Sequence, residues 1–183
     1  MAAYKKYVKD VIFCGNKYKG IRYLLDIEFE DGDENKTALV IMQNPSKADE
    51  KDSDTTITAV LNRLHKFRYS RVYLSNLIPF YGTDSATIKE LVINPCLNNV
   101  YIKNDDIIST IVNKVTKIFV AWGDKNTFSE DLYNNRIACI HKLLQDEKVY
   151  CSGLTNHNNP LHPSRGGWPK DLEESSFVLY QMA

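Results

Sequence analysis

Three short apolar runs constrain this chain most: residues 37–42 (Thr-Ala-Leu-Val-Ile-Met), 71–77 (Arg-Val-Tyr-Leu-Ser-Asn-Leu) and 117–122 (Lys-Ile-Phe-Val-Ala-Trp). Each is rich in β-branched or aromatic residues, too short for a buried helix, and closed by polar or turn-forming residues. That is the pattern of a strand covered on both faces. Segments of helical period lie between and after them. Asp54 stands as an N-cap before Ile57, Val60, Leu61 and Leu64, which share one helical face. Ile107, Ile108, Ile111, Val112 and Val115 mark a second helix over 104–115, and Leu132, Ile137, Ile140 and Leu144 a third. Strands alternating with helices predict an α/β fold with helices packed on a parallel-centred sheet.

The expected architecture is a three-layer α/β/α sandwich whose mostly parallel central sheet has about four strands. Residues 23–29 alternate and read as an antiparallel edge strand near the N-terminus, joined through the turn 31–35 to the run 37–42 as a hairpin. Residues 83–91 read as a short helix, Asn94 and Pro95 as a loop, and 148–151 as a short strand. Residues 153–169 read as a long loop ordered by Leu161 and Trp168, and 171–182 as a helix or a terminal extension. There is no repeat, low-complexity tract or linker, so residues 1–183 read as one domain.

Lysine plus arginine equals aspartate plus glutamate at 23 each. A neutral chain is poorly suited to tight non-specific binding of nucleic acid, which needs several cationic contacts to phosphates. Residues 1–10 are polar and lysine-rich without an apolar core of a signal sequence, and the apolar runs are too short to span a bilayer. A cytoplasmic protein with no membrane partner is expected. Cys14, Cys96, Cys139 and Cys151 form no C-x-x-C pair, which argues for reduced thiols and no metal site. Neither a P-loop nor a dinucleotide fingerprint is present, so no cofactor is expected.

Function is sought where the apolar runs stop, because ligands of α/β proteins bind beyond the carboxyl ends of strands. The first run ends in Gln43-Asn44-Pro45-Ser46, the second contains Ser75-Asn76, and the third ends in Trp122-Gly123. A proline-flanked loop, Leu161-His162-Pro163-Ser164-Arg165, adds an imidazole, a hydroxyl and a guanidinium. Asparagine amides supply a donor and an acceptor together, as the edge of a heterocycle requires. An imidazole stabilises a developing anion or transfers a proton near neutral pH.

Read in order, these blocks resemble the motif series of the uracil-DNA glycosylase superfamily, over residues 42–168. Over nearly the whole chain, Asn44-Pro45-Ser46-Lys47-Ala48-Asp49, Asp54-Thr55, the Trp122-Gly123 strand end, Gly153-Leu154-Thr155 and His162-Pro163 are similar to an uncharacterised bacterial and phage domain-of-unknown-function family, number 1643. The first resemblance implies a uracil-DNA glycosylase-like fold and two functional readings. In one, the domain recognises a nucleobase, a nucleotide or a nucleotide-derived ligand in a pocket at the strand ends. That pocket is built from Gln43, Pro45, Ser46, Asn76, Trp122, Gly123 and Ser164, with Arg165 or Arg22 on a phosphate. In the other, it is a glycosylase-type hydrolase of an N-glycosidic bond acting on single-stranded or damaged nucleic acid. Asn44 would then position the water, Asn76 hold the base, and His162 stabilise the departing base. Residues 47–56 hold no aromatic to stack on a base, and Arg165-Gly166-Gly167 stands where the superfamily carries a wedge. With the neutral charge, these departures favour the first reading.

Overall fold

The computed structural model describes residues 1–81, 98–126 and 128–182. The expected helix at 83–91, the Asn94 and Pro95 loop and Cys96 lie outside them. The strands are β1 (Ala2–Ala3), β2 (Val8–Asn16), β3 (Ile21–Phe29), β4 (Asp33–Met42), β5 (Asp52–Ser53), β6 (Tyr69–Asn76), β7 (Lys117–Ala121), β8 (Val149–Cys151) and β9 (Val178–Leu179). The helices are α1 (Thr55–Lys66), α2 (Asn98–Val112) and α3 (Glu130–Leu143). Seven strands form one mixed sheet in the order β2-β3-β6-β4-β7-β8-β9, and β1 pairs with β5 in a separate two-stranded sheet.

Strand β4 is the middle of the large sheet, parallel to β6 on one side and to β7 on the other. Its last five residues are buried on both faces, as the unbroken apolar run requires. Leu39 and Ile41 point into a core shared with Ile108 and Ile111 of α2 and Tyr133 and Ile140 of α3. Ala38, Val40 and Met42 point into a second core with Ile57, Val60, Leu61 and Leu64 of α1. Asp54 caps α1 as its sequence position suggests, its Oδ1 accepting from the Ile57 N–H at 2.9 Å.

The sheet corrects the expected four-stranded, mostly parallel sandwich and its uracil-DNA glycosylase-like form. It is larger, and three of its pairings, β2·β3, β3·β6 and β8·β9, are antiparallel. Three local causes account for the difference. Residues 8–16 form a full strand whose alternation is broken by irregularities between Val8 and Asp10 and between Cys14 and Gly15, so the period of two is lost from the sequence. β3 is therefore an interior strand. Its polar positions are neutralised by neighbouring strands rather than by water: Arg71 donates two bonds to Asp26, at 2.6 and 2.8 Å, and Lys9 pairs with Glu28.

The expected hairpin of β3 with β4 does not form, because β6 lies between them. At the C-terminal end, Glu174 accepts from the Lys36 ammonium and the Tyr69 hydroxyl. Phe177 is buried against Phe119 and Trp168. This anchoring gives a 3₁₀ turn and the strand β9 in place of a helix. Among the described residues no helix is long and apolar enough to cross a membrane.

Because Leu39 is fully buried in the central strand, Leu39→Ala removes packing from the core under α2 and α3. The expected loss is about 2–5 kcal/mol of unfolding free energy, read from urea denaturation, with the slope of the transition unchanged.

Candidate functional site

The three parallel strands end at one level, with Met42 paired to Asn76 on one side and to Ala121 on the other. Beyond them the backbone pairing continues briefly, the N–H of Leu77 donating to Met42 O and that of Ile78 to Gln43 O. Gln43 ties the next pair of ends together. Its buried Nε2 donates to Trp122 O at 3.2 Å and to Asp124 O at 2.8 Å. A cleft of about 180 Å³ opens above this knot, lined chiefly by Asn44, Asp124, Asn126, Thr155, His162 and Ser164. It lies at the carboxyl ends of β4 and β7, where an α/β sheet presents ligands.

His162 is set by its own loop. Its Nδ1 accepts from the Ser164 N–H at 3.2 Å and lies 2.7 Å from Ser164 Oγ. With Nδ1 accepting, the neutral ring carries its proton on Nε2 and is a donor there. The backbone packs closely enough to need glycine at two places. Gly123 has φ of 67°, and a Cβ on it would stand 2.8 Å from His162 Cβ. A Cβ on Gly167 would stand 2.7 Å from His162 O. Gly123 N–H also donates to Pro160 O at 2.7 Å, and Tyr133 OH donates to Gly123 O. The Trp-Gly strand end and the His-Pro-Ser loop thus fit together as one piece.

Asp124 is the anionic wall of the cleft and was not among the residues expected from sequence. Its Oδ1 accepts from Thr155 Oγ1 at 2.6 Å and Asn159 Nδ2 at 2.8 Å, and its Oδ2 lies 3.1 Å from His157 Nδ1. Burial works to raise its pKa, but the bonds from Thr155, Asn159 and His157 together hold it below the usual carboxylate range. It is therefore ionised at neutral pH. The signal was present in sequence, since an acidic residue directly follows the Trp-Gly strand end and Thr155 belongs to the Gly-Leu-Thr segment.

Arg22 and Asn76 stand two strands along the same edge of the sheet, on β3 and β6. Arg22 is fully buried. Its Nη1 donates to Ala48 O at 3.0 Å and Ser46 O at 3.4 Å, and its Nη2 to Asn76 Oδ1 at 3.3 Å. The Tyr81 ring lies 6.0 Å from the guanidinium. Burial lowers the Arg22 pKa, opposed by Tyr81 and Asp54, and arginine keeps its charge even so. The helices hold the end of β6 from the other side. Asn104 Nδ2 donates to Asn76 O at 3.0 Å, and Arg136 Nε to Leu77 O at 2.8 Å.

The structure brings Gln43, Asn44, Trp122, Gly123, His162 and Ser164 to one cleft. Trp122 is only 1% exposed, with its ring against His141 and Tyr180. Pro45 is buried and Ser46 half-buried in the loop that carries Asn44. Asn76 and Arg22 form a separate buried pair, and the Arg165 side chain lies outside what is described. The loop is clamped from outside. Tyr4 OH donates to Asp49 O at 2.7 Å, β1 pairs with β5, and Lys17 bridges Asp49 at 2.9 Å and Glu50 at 2.6 Å.

The family model described as "Protein of unknown function (DUF1643)" matches residues 22–164, well over half of the chain, and the chain belongs to that family. No curated protein and no solved structure matches it.

Gly123→Ala forces a left-handed residue with a side chain, at about 1–2 kcal/mol for the backbone alone. It also drives a methyl into His162. The expected result is a lower melting temperature together with displaced His162 ring resonances in NMR. The Lys17 clamp gives a pH dependence. Burial tends to raise the Asp49 pKa, but Lys17 and the N–H groups of Lys51 and Asp52 outweigh it and bring the carboxyl to about 2. A depressed carboxylate stabilises fully above its unfolded pKa of about 4 and loses that contribution as pH falls through its folded value. The Asp49 carboxyl should titrate near this low value by carbon NMR and move upward in Lys17→Met.

Proposed function

We propose that this DUF1643 member is a nucleobase- or nucleotide-recognising domain, with the base held in the cleft at the ends of β4 and β7. The observation that carries the reading is the chemistry of the cleft wall. An Nε2–H donor on His162, the Asn44 amide, the Ser164 hydroxyl and the Asp124 carboxylate surround a space far smaller than a drug-sized site. Donors and acceptors placed around a small, partly apolar slot suit a planar heterocycle with N–H and C=O groups on its edge. The ionised Asp124 favours an edge rich in N–H donors and opposes an anionic group at that position. The balanced charge of the chain supports a small ligand over a long polyanion. The order of the motifs, which resembles that of the uracil-DNA glycosylases, supports the base-binding role of the site without extending to its sheet.

Asn44 and His162 on one cleft favour a second reading, hydrolysis of an N-glycosidic bond in single-stranded or damaged nucleic acid. Asn44 would hold the water and His162 would donate to the departing base. Both readings are tested with one panel. Calorimetry with free bases, nucleosides and nucleotides should show saturable binding, weakened in His162→Ala by about 0.5–1.5 kcal/mol for the lost hydrogen bond. Absence of binding across the panel would reject the base-recognition reading. Release of free base from oligonucleotides, lowered in Asn44→Ala by on the order of 100-fold, would establish the hydrolase reading.

A further inference from the structure

Three buried polar atoms without hydrogen-bond partners among the described residues gather at one place on the sheet edge: Arg22 Nε, Asn76 Nδ2 and Ser46 Oγ. They belong to one cluster, because the Arg22 guanidinium itself bonds Ser46 O and Asn76 Oδ1. Buried donors are nearly always satisfied, and a group of unsatisfied ones in a native protein calls for an explanation: strain, a functional role, or a bound water or ion. The other buried arginines are partnered differently. Arg136 is paired with Asp105, and Arg63 donates to the Pro169 and Trp168 carbonyls at the Trp168 segment. Arg22, the most buried of the three, makes no salt bridge among the described residues. Asp54 acts on it through its field, its Oδ1 capping α1 and its Oδ2 buried without a hydrogen-bond partner among the described residues.

The amide of Asn76 has a fixed orientation for a chemical reason. Its carbonyl must face the guanidinium, since the reverse would set donor against donor. Asn76 thus has only its NH₂ to offer and no longer presents the mixed edge a base requires. Arg22 Nε–H, the Asn76 NH₂ and the Ser46 hydroxyl are all able to donate, beside a full positive charge. We propose that this cluster is an anion subsite that takes the phosphate of a nucleotide whose base lies in the Asp124 cleft. The inference rests on the reading of that cleft as a base site.

Sheet geometry supports the pairing of the two ends. Arg22 lies on β3 and Asp124 follows β7, three strand spacings apart through β6 and β4, about 14 Å along the common edge. A base, its sugar and a phosphate cover a span of this order. The anion-repelling carboxylate is at one end and the cation at the other, which sets the direction of the ligand. The cluster is closed to water in this structure, so entry includes a shift of the loop after β4. The Ser46 carbonyl, 3.4 Å from Arg22 Nη1, is its weakest hold.

The test is calorimetry on the full chain with uridine, guanosine, their 5′-monophosphates and inorganic phosphate. NMR shifts are followed at the amides of residues 46–48. The monophosphate should bind on the order of 10- to 100-fold more tightly than its nucleoside, as for a hydrogen-bonded charge. Inorganic phosphate should compete with the monophosphate and shift the amides. Asn76→Asp places a carboxylate against Arg22, keeping the fold while filling the charge. The monophosphate-to-nucleoside ratio should fall towards one with the melting temperature retained or raised. Ser46→Ala, a milder change in the loop, should lower the ratio by a few-fold.

Equal affinity for nucleoside and monophosphate, or a ratio unmoved by both substitutions, would overturn the anion subsite and leave the base site standing. Phosphate binding abolished by Asn76→Asp, without binding of any nucleoside, would support the subsite and reject the base site. Silence from every probe would reject both, and leave a trapped structural water as the partner of these atoms.

Discussion

Strand β4 is hydrogen-bonded on both sides and buried on both faces, and the rest of the molecule depends on that position. Its backbone pairs with β6 through Met42 and Asn76 and with β7 through Met42 and Ala121, which fixes three strand ends at one height. Its side chains divide the two hydrophobic cores, one under α1 and the other under α2 and α3. A strand so placed cannot slip by one residue without exchanging its two apolar faces between the cores. The polar residues that follow are held in register by the same constraint. Gln43 converts this register into a site by bonding two carbonyls of the β7 end, so the floor of the cleft is cross-linked by one buried amide.

The cleft wall shows how a long irregular segment becomes a rigid one. Residues 153–169 contain little regular structure, yet their backbone is paired where it passes the strands. Leu161 N–H donates to Gly153 O at 2.9 Å, and Gly123 N–H donates to Pro160 O. Asp124 gathers Thr155, His157 and Asn159 around one carboxylate. Farther along, Trp168 is sealed between Phe119 and Phe177, and Arg63 of α1 holds the carbonyl of Pro169 at 2.6 Å. His162 therefore sits on a segment pinned at both ends. A preorganised donor loses less entropy when it meets a ligand.

Charge is arranged along the sheet edge in a way that net neutrality conceals. An ionised Asp124 lies beyond β7 and a buried Arg22 on β3, while Lys17 pairs from outside with Asp49 and Glu50 of the acidic loop between them and offsets part of its charge. Burying an arginine costs several kcal/mol unless the charge finds partners. Two backbone carbonyls and one amide oxygen satisfy it only in part. Retaining such a group beside unsatisfied donors distinguishes this end of the edge from the cleft beyond β7, where Thr155, His157 and Asn159 answer the Asp124 carboxylate.

By itself the sequence determined the local pieces. The apolar runs at 37–42, 71–77 and 117–122 became β4, β6 and β7, because a continuous β-branched run is stable only when covered on both faces. Asp54 began a helix, and the residues after the first and third runs met His162 in one cleft. Strand order was not legible. β6 entered between β3 and β4, and β9 extended the sheet, through pairings between segments far apart in the chain that leave no periodic mark, while β2 paired locally with β3 behind irregularities that erase its alternation. Asp26 and Glu28 looked like a wet face because alternation records polarity, and polarity does not say whether water or Arg71 and Lys9 will answer it. Only the tertiary structure separated Asn76 from the cleft and joined it to Arg22, since burial and hydrogen-bond geometry are properties of the packed sheet edge.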